Sequence, residues 1–121
     1  QINGGTVMAI PGGREKRRFY RIHYSLSNSP AIHIDGYDYR IADISEGGIC
    51  FYNAKKCVIF GVNQTVCGLI KFQVSKPVFV KGYVLRIIDN RVIIRLTTGL
   101  PSQTIFEQQR FAINESQVMR R

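Results

Sequence analysis

Val78-Phe79-Val80-Lys81-Gly82-Tyr83-Val84-Leu85-Arg86-Ile87-Ile88, then Asp89-Asn90, then Arg91-Val92-Ile93-Ile94-Arg95-Leu96, is the stretch that decides the fold. Both flanks are rich in Val and Ile, whose branched side chains suit a pleated sheet. In the second flank Val92, Ile94 and Leu96 alternate with Arg91, Ile93 and Arg95, the period of a strand with one face buried. Asp89-Asn90 between them predicts a tight hairpin, since Asn tolerates positive φ. The period then changes. Leu100-Pro101 introduces Ile105, Phe106, Gln109 and Ile113 at helical spacing. Pro101 suits a helix start, and Thr104 with Glu107 matches a capping box, so one helix is expected over 102–113.

Upstream, Ile22-His23-Tyr24-Ser25-Leu26 predicts a first strand. Tyr37 to Ser45 alternates, with Tyr37, Tyr39, Ile41, Asp43 and Ser45 on one face and Ala42 and Ile44 on the other. Gly47-Gly48 interrupts this pattern, and Gly48 to Tyr52 predicts another strand. Val66 to Val74 predicts one more, while residues 53–65 give no pattern. Five to seven short strands and a terminal helix point to an all-β fold, a small antiparallel barrel with a helix packed on it.

The 121 residues suit one domain, and a 45% hydrophobic content excludes a disordered chain. Seventeen Lys and Arg oppose eight Asp and Glu, a net charge of +9 that favours an anionic partner. Cys50, Cys57 and Cys67 are odd in number and form no C-x-x-C, which fits a reducing cytoplasm. No signal peptide is expected, because no basic segment followed by an apolar stretch opens the chain. No apolar run reaches the roughly 20 residues of a membrane span.

Two clusters carry chemistry. The first is Arg14-Glu15-Lys16-Arg17-Arg18-Phe19-Tyr20-Arg21, preceded by Gly12-Gly13. Guanidinium forks bond phosphates bidentately and stack on flat rings, so this cluster suits a phosphate ligand with bases. The second is Asp43-Ile44-Ser45-Glu46-Gly47-Gly48. Asp43 can accept two parallel hydrogen bonds, as from a guanine edge or an Arg fork; Ser45 donates and accepts; Gly47-Gly48 permits positive φ and close backbone approach. A solvated basic run and a polar turn are the plainer readings of the same residues.

Taken together and in this order, the clusters resemble the PilZ family, whose pattern is R-x-x-x-R followed by D/N-x-S-x-x-G. Here these are Arg17 to Arg21 and Asp43 to Gly48, and Gly82-Tyr83-Val84 looks like the family's G-x-V strand. The resemblance covers about residues 14–113, leaving 1–13 as an expected flexible arm and 114–121 as a tail. It implies a PilZ-like barrel of about six strands, binding of the bacterial second messenger cyclic di-GMP, and no catalysis. Arg17 and Arg21 would hold phosphates and stack on guanine; Asp43 and Ser45 would meet guanine and phosphate; Gly48 would keep the surface open. Lys16, Arg18, Gly47 and Arg86 are candidates for further contacts. Arg86 stands where several relatives carry a stacking Trp, a residue this chain lacks.

No cofactor is expected, and no metal site, since His23 and His33 have no partners at ligand spacing. No nucleophile elbow or phosphate loop occurs. The leading reading is a sensor whose arm, residues 1–16, orders over the ligand, an ordering read by a neighbouring domain or a protein partner. Two alternatives remain: a basic barrel binding single-stranded nucleic acid, with Tyr37 and Tyr39 as stacking rings, and a PilZ-like adaptor that binds only protein.

Overall fold

The structure is a computed structural model and describes residues 21–119. The strands are β1 (Ile22–His23), β2 (Ala31–Ile34), β3 (Tyr37–Ser45), β4 (Gly48–Tyr52), β5 (Thr65–Lys71), β6 (Val78–Ile88) and β7 (Arg91–Leu96); helix α1 (Ser102–Met119) follows. All pairings are antiparallel. The order β3-β2-β5-β6-β7-β4 closes on itself through β3–β4, giving a six-stranded barrel, and β1 takes the edge of β3 beyond the point where β2 leaves it. Closure removes the free edges that an open sheet would present. Among the described residues no helix is long and apolar enough to cross a membrane.

The β6–β7 hairpin forms as its sequence predicts, with Ile88 opposite Arg91, although the positive φ (55°) falls on Asp89 and not on Asn90. Val80 and Val84 of β6 and Val92, Ile94 and Leu96 of β7 face the core. A second hairpin, β2–β3, has no counterpart in the sequence reading. Its turn is Asp35-Gly36, with φ of 48° and 90°, the pair of left-handed residues that matches strand twist in a two-residue turn.

Several boundaries differ from expectation. The first strand stops at His23 because Ser25–Asn28 closes a turn, in which the Asn28 side chain accepts from the Ser25 amide at 2.9 Å. β5 ends at Lys71, short of Val74. The helix continues past residue 113 to Met119, through most of the segment read as a tail. The capping box does not form: Thr104 is buried inside the helix, and Glu107 accepts from Gln103 at 2.9 Å, which lowers the pKa of its carboxyl. Pro101 instead starts the helix, its carbonyl accepting from the Ile105 amide.

The core is built from Ile32, Ile41, Ile44, Ile49, Ile70 and Val92 around three rings, Tyr39, Phe51 and Phe60. Their centroids lie 4.9, 5.4 and 5.7 Å apart in tilted and edge-on contacts, the arrangement aromatic quadrupoles favour. The helix packs against β1, and its Ile105 and Ala112 rest on the core. There Gln108 accepts from the Tyr24 hydroxyl at 2.7 Å and donates to Ser75 at 3.0 Å, so its buried amide has partners at both ends.

Gly82, in the G-x-V segment, is required by packing. A Cβ there would lie 2.2 Å from the Arg95 carbonyl oxygen, a backbone atom that cannot swing aside. Gly82→Ala is therefore expected to destabilise the chain by about 1–3 kcal/mol, measured by urea unfolding. Unchanged stability would show that the β6–β7 ladder has slack.

Candidate functional site

The outer face of the barrel over β3, β4 and β7 collects the chemistry-bearing residues. A bulge sets which ones. Ile41 pairs with Phe51 and Asp43 with Cys50, so Ala42 is the extra residue. The bulge corrects the strict alternation expected for β3: Tyr39, Ile41 and Ile44 point inward, while Asp43 moves to the outer face. With an unbroken period Asp43 would lie in the core beside Ile41, where a carboxylate is costly.

Asp43 is thereby brought to Arg21. The Arg21 guanidinium donates through Nη1 to Asp43 Oδ1 at 2.6 Å, joining the end of the first motif to the start of the second. Asp43 keeps 13% of its side-chain area exposed and Arg21 43%. Neither is saturated by the other. Arg21 has further N–H donors, and among the described residues Asp43 Oδ2 forms an ion pair only with His23 Nδ1, at 3.9 Å. His23, beside Asp43 in the ladder, was given no role from sequence.

Ser45 and Gly48 pair two positions further along the β3–β4 ladder. Ser45 is buried, its hydroxyl donating to the Gly48 carbonyl at a long 3.4 Å. A Cβ on Gly48 would lie 3.1 Å from the Ile94 carbonyl oxygen, so this glycine serves close approach of β4 to β7. Gly47 would meet nothing with an added Cβ, and neither glycine takes a positive φ. The Gly47 carbonyl accepts from the Leu96 amide and the Glu46 carbonyl from the Leu100 amide, tying the motif's turn to the chain entering α1. Arg86 is exposed beside the bulge at Leu85 and pairs with Ile93, which continues the ladder row of Asp43 and Cys50. Arg17, together with Lys16 and Arg18, lies outside the described residues, as does the arm 1–13.

Arg21 and Asp43 border an open cleft of about 470 Å³, whose other lining residues are Cys50, Ile88, Asp89, Asn90, Arg91 and Ile93; Ser45, Gly47, Gly48 and Arg86 lie outside that lining. Cys50 and Ile93 are adjacent in the β4–β7 ladder between its polar walls. Burial pushes the Cys50 thiol up, and Asp43 adds to this, so Cys50 is held as a neutral thiol. The β6–β7 turn enters the cleft because β4 lies beside β7, a neighbour relation that no local sequence signal encodes. The cleft can hold an anion at Arg21 and a donor edge at Asp43 over a partly apolar surface. Among the described residues no three His, Cys, Asp or Glu side chains group as a metal site requires.

The sequence matches no protein-family model, and no curated protein matches it. Solved structures do share its fold. The Bacillus subtilis inhibitor of motility (MotI/DgrA) aligns with a TM-score of 0.62 at 15% identity, over 87% of this chain and 53% of that one. An uncharacterized Legionella protein (Lpg0364) aligns with a TM-score of 0.52 at 13% identity, over 84% of this chain and 95% of that one. The chain thus spans about half of the motility inhibitor and nearly all of the Legionella protein. At these identities the likeness is one of fold, a small antiparallel β-barrel, as the strand pattern of the sequence leads one to expect.

Proposed function

We propose that the chain is a cyclic di-GMP receptor domain, acting by binding and not by catalysis, in the cytoplasm where such a messenger circulates. The observation that carries this reading is the contact between Arg21 and Asp43, which brings the ends of two sequence-distant motifs to one wall of an open cleft. A guanidinium with donors beyond that contact suits a phosphate, and a carboxylate with a second oxygen suits the N–H donors of guanine. Ser45 joins by giving up a bond already long at 3.4 Å, a small loss. Arg86 offers a flat cation on the same row. Several charge-assisted hydrogen bonds, about 1.5–3 kcal/mol each, offset the cost of ordering ligand and chain. Arg17, with Lys16 and Arg18, completes the phosphate grip in this reading. The segment that carries them is thereby drawn onto the barrel, and a neighbouring domain or partner protein reads the change.

The nucleic-acid alternative loses one of its two stacking rings, since Tyr39 packs against Phe51 and Phe60 in the core and only Tyr37 is exposed. Thermal unfolding separates the readings. At a hundredfold excess over Kd, cyclic di-GMP should add roughly 2.7 kcal/mol of stability and raise the melting temperature, while cyclic di-AMP and single-stranded RNA should not. No shift with cyclic di-GMP, or an equal shift with cyclic di-AMP, contradicts the proposal. Amide exchange tests the output. Residues 4–21 should gain more protection on binding than β6 and β7; no gain at saturation would leave the receptor without this switch.

A further inference from the structure

The β6–β7 turn supplies the cleft with a second set of recognition groups. Asp89 and Arg91 line the same space as Arg21 and Asp43. The ladder runs from Asp43 to Cys50 to Ile93, and Arg91 lies two residues before Ile93 on β7. Two strand spacings, about 10 Å, therefore separate Asp43 from Arg91 across the sheet, and two residues, about 7 Å, along it. Each wall carries one carboxylate and one guanidinium. At the near wall the two are paired to each other; at the far wall, among the described residues, neither makes an ion pair. The Arg91 guanidinium instead lies over the Tyr52 ring, 5.7 Å from its centroid. This contact holds the fork at the cleft before any ligand arrives, so less side-chain entropy remains to be lost. Asp89 is fixed by the turn at φ 55°.

We propose that Asp89 and Arg91 are the residues that select guanine over adenine in this cleft. The inference rests on the cyclic di-GMP reading above and deepens it. A dinucleotide carries two bases, and the near wall meets one of them. At the far wall the Arg91 fork donates to guanine O6 and N7, while Asp89 accepts from the N1–H and the 2-amino group. Adenine presents an amino donor where guanine has O6, an acceptor at N1, and no 2-amino group, so both contacts fail with it. Tyr52 is a positioning residue for the Arg91 fork.

The test is a set of separate titrations with cyclic di-GMP and cyclic di-AMP on the wild type, Arg91→Lys and Asp89→Asn. Lysine keeps the charge and loses the fork; asparagine tolerates the left-handed turn and loses the carboxylate. Melting curves confirm that the variants fold. Each variant should bind cyclic di-GMP about ten- to a hundredfold more weakly, with cyclic di-AMP unchanged, so the preference collapses. Wild-type preference in both variants overturns the inference, as does equal weakening toward both ligands, which would make these residues general electrostatic contacts. In either case wild-type binding still upholds the receptor reading. A wild type that does not bind cyclic di-GMP overturns both.

Discussion

Phe51→Ala is expected to lower the unfolding free energy by about 3–5 kcal/mol. Phe51 is fully buried at the centre of the barrel, where Tyr39 and Phe60 both rest on its ring. Removing it takes away the transfer energy of the ring and leaves a cavity, because a closed barrel cannot collapse a strand inward without breaking pairings on both sides. Phe51 pairs with Ile41 on β3 and Val92 on β7, so the strands beside it are the ones that carry Asp43 and Arg91. Against a typical total of roughly 5–15 kcal/mol, the loss is large enough to populate the unfolded chain. Urea unfolding measures it, with Phe51→Leu as a milder companion expected to fall between. A loss below about 1 kcal/mol for the alanine variant would mean that the aromatic cluster is not the centre of the core.

Asp43→Ala should reduce cyclic di-GMP affinity about ten- to a hundredfold, equivalent to about 1.5–3 kcal/mol, and Arg21→Ala should do the same. The pair is partly exposed, and exposed ion pairs contribute about 0–1 kcal/mol to stability, so both variants should remain folded. The contrast with Phe51 is the point: one substitution changes stability, the others change affinity. The two variants should also be non-additive, because each residue orients the other, and the double variant should lose less than the sum. Unchanged affinity in either single variant would remove that residue from the site.

The sequence discloses the fold where local pattern and tertiary role agree. β6 and β7 alternate Val and Ile into the core without interruption until Leu85, and Pro101 marks the entry to the helix. It misleads where one extra residue changes the phase. Counting by twos puts Asp43 on the same face as Ile41, yet the bulge at Ala42 leaves Ile44 as the inward residue. The apolar Ile44 beside a carboxylate was the available sign. β2 escapes a local reading although Asp35-Gly36 is among the strongest two-residue hairpin signals, because its strand, Ala31 to Ile34, is short.

Of the site, the wall formed by Arg21 and Asp43 was readable, because both belong to recognisable short motifs. The opposite wall was not. Asp89-Asn90-Arg91 reads locally as a turn and a strand start, and only the non-local placement of β4 between β3 and β7 sets it facing Asp43. Ser45 and Gly48 read in the sequence as ligand contacts; what the fold gives them is a structural part, closing the turn and allowing β4 to approach β7. A motif residue that shapes the loop and one that touches the ligand look the same in a single sequence.

The central claim is that cyclic di-GMP binds on the outer face over β3, β4 and β7. It is tested most directly by titrating the isotopically labelled chain with cyclic di-GMP and following each backbone amide by NMR. The account predicts shifts that saturate together and concentrate at residues 21–23, 43–50 and 89–93, with little change along β5 at 65–71, which lies elsewhere in the barrel wall. Spectra that do not move at millimolar ligand, or shifts centred on the separate hollow lined by Tyr37, Arg40 and Lys55, would contradict it.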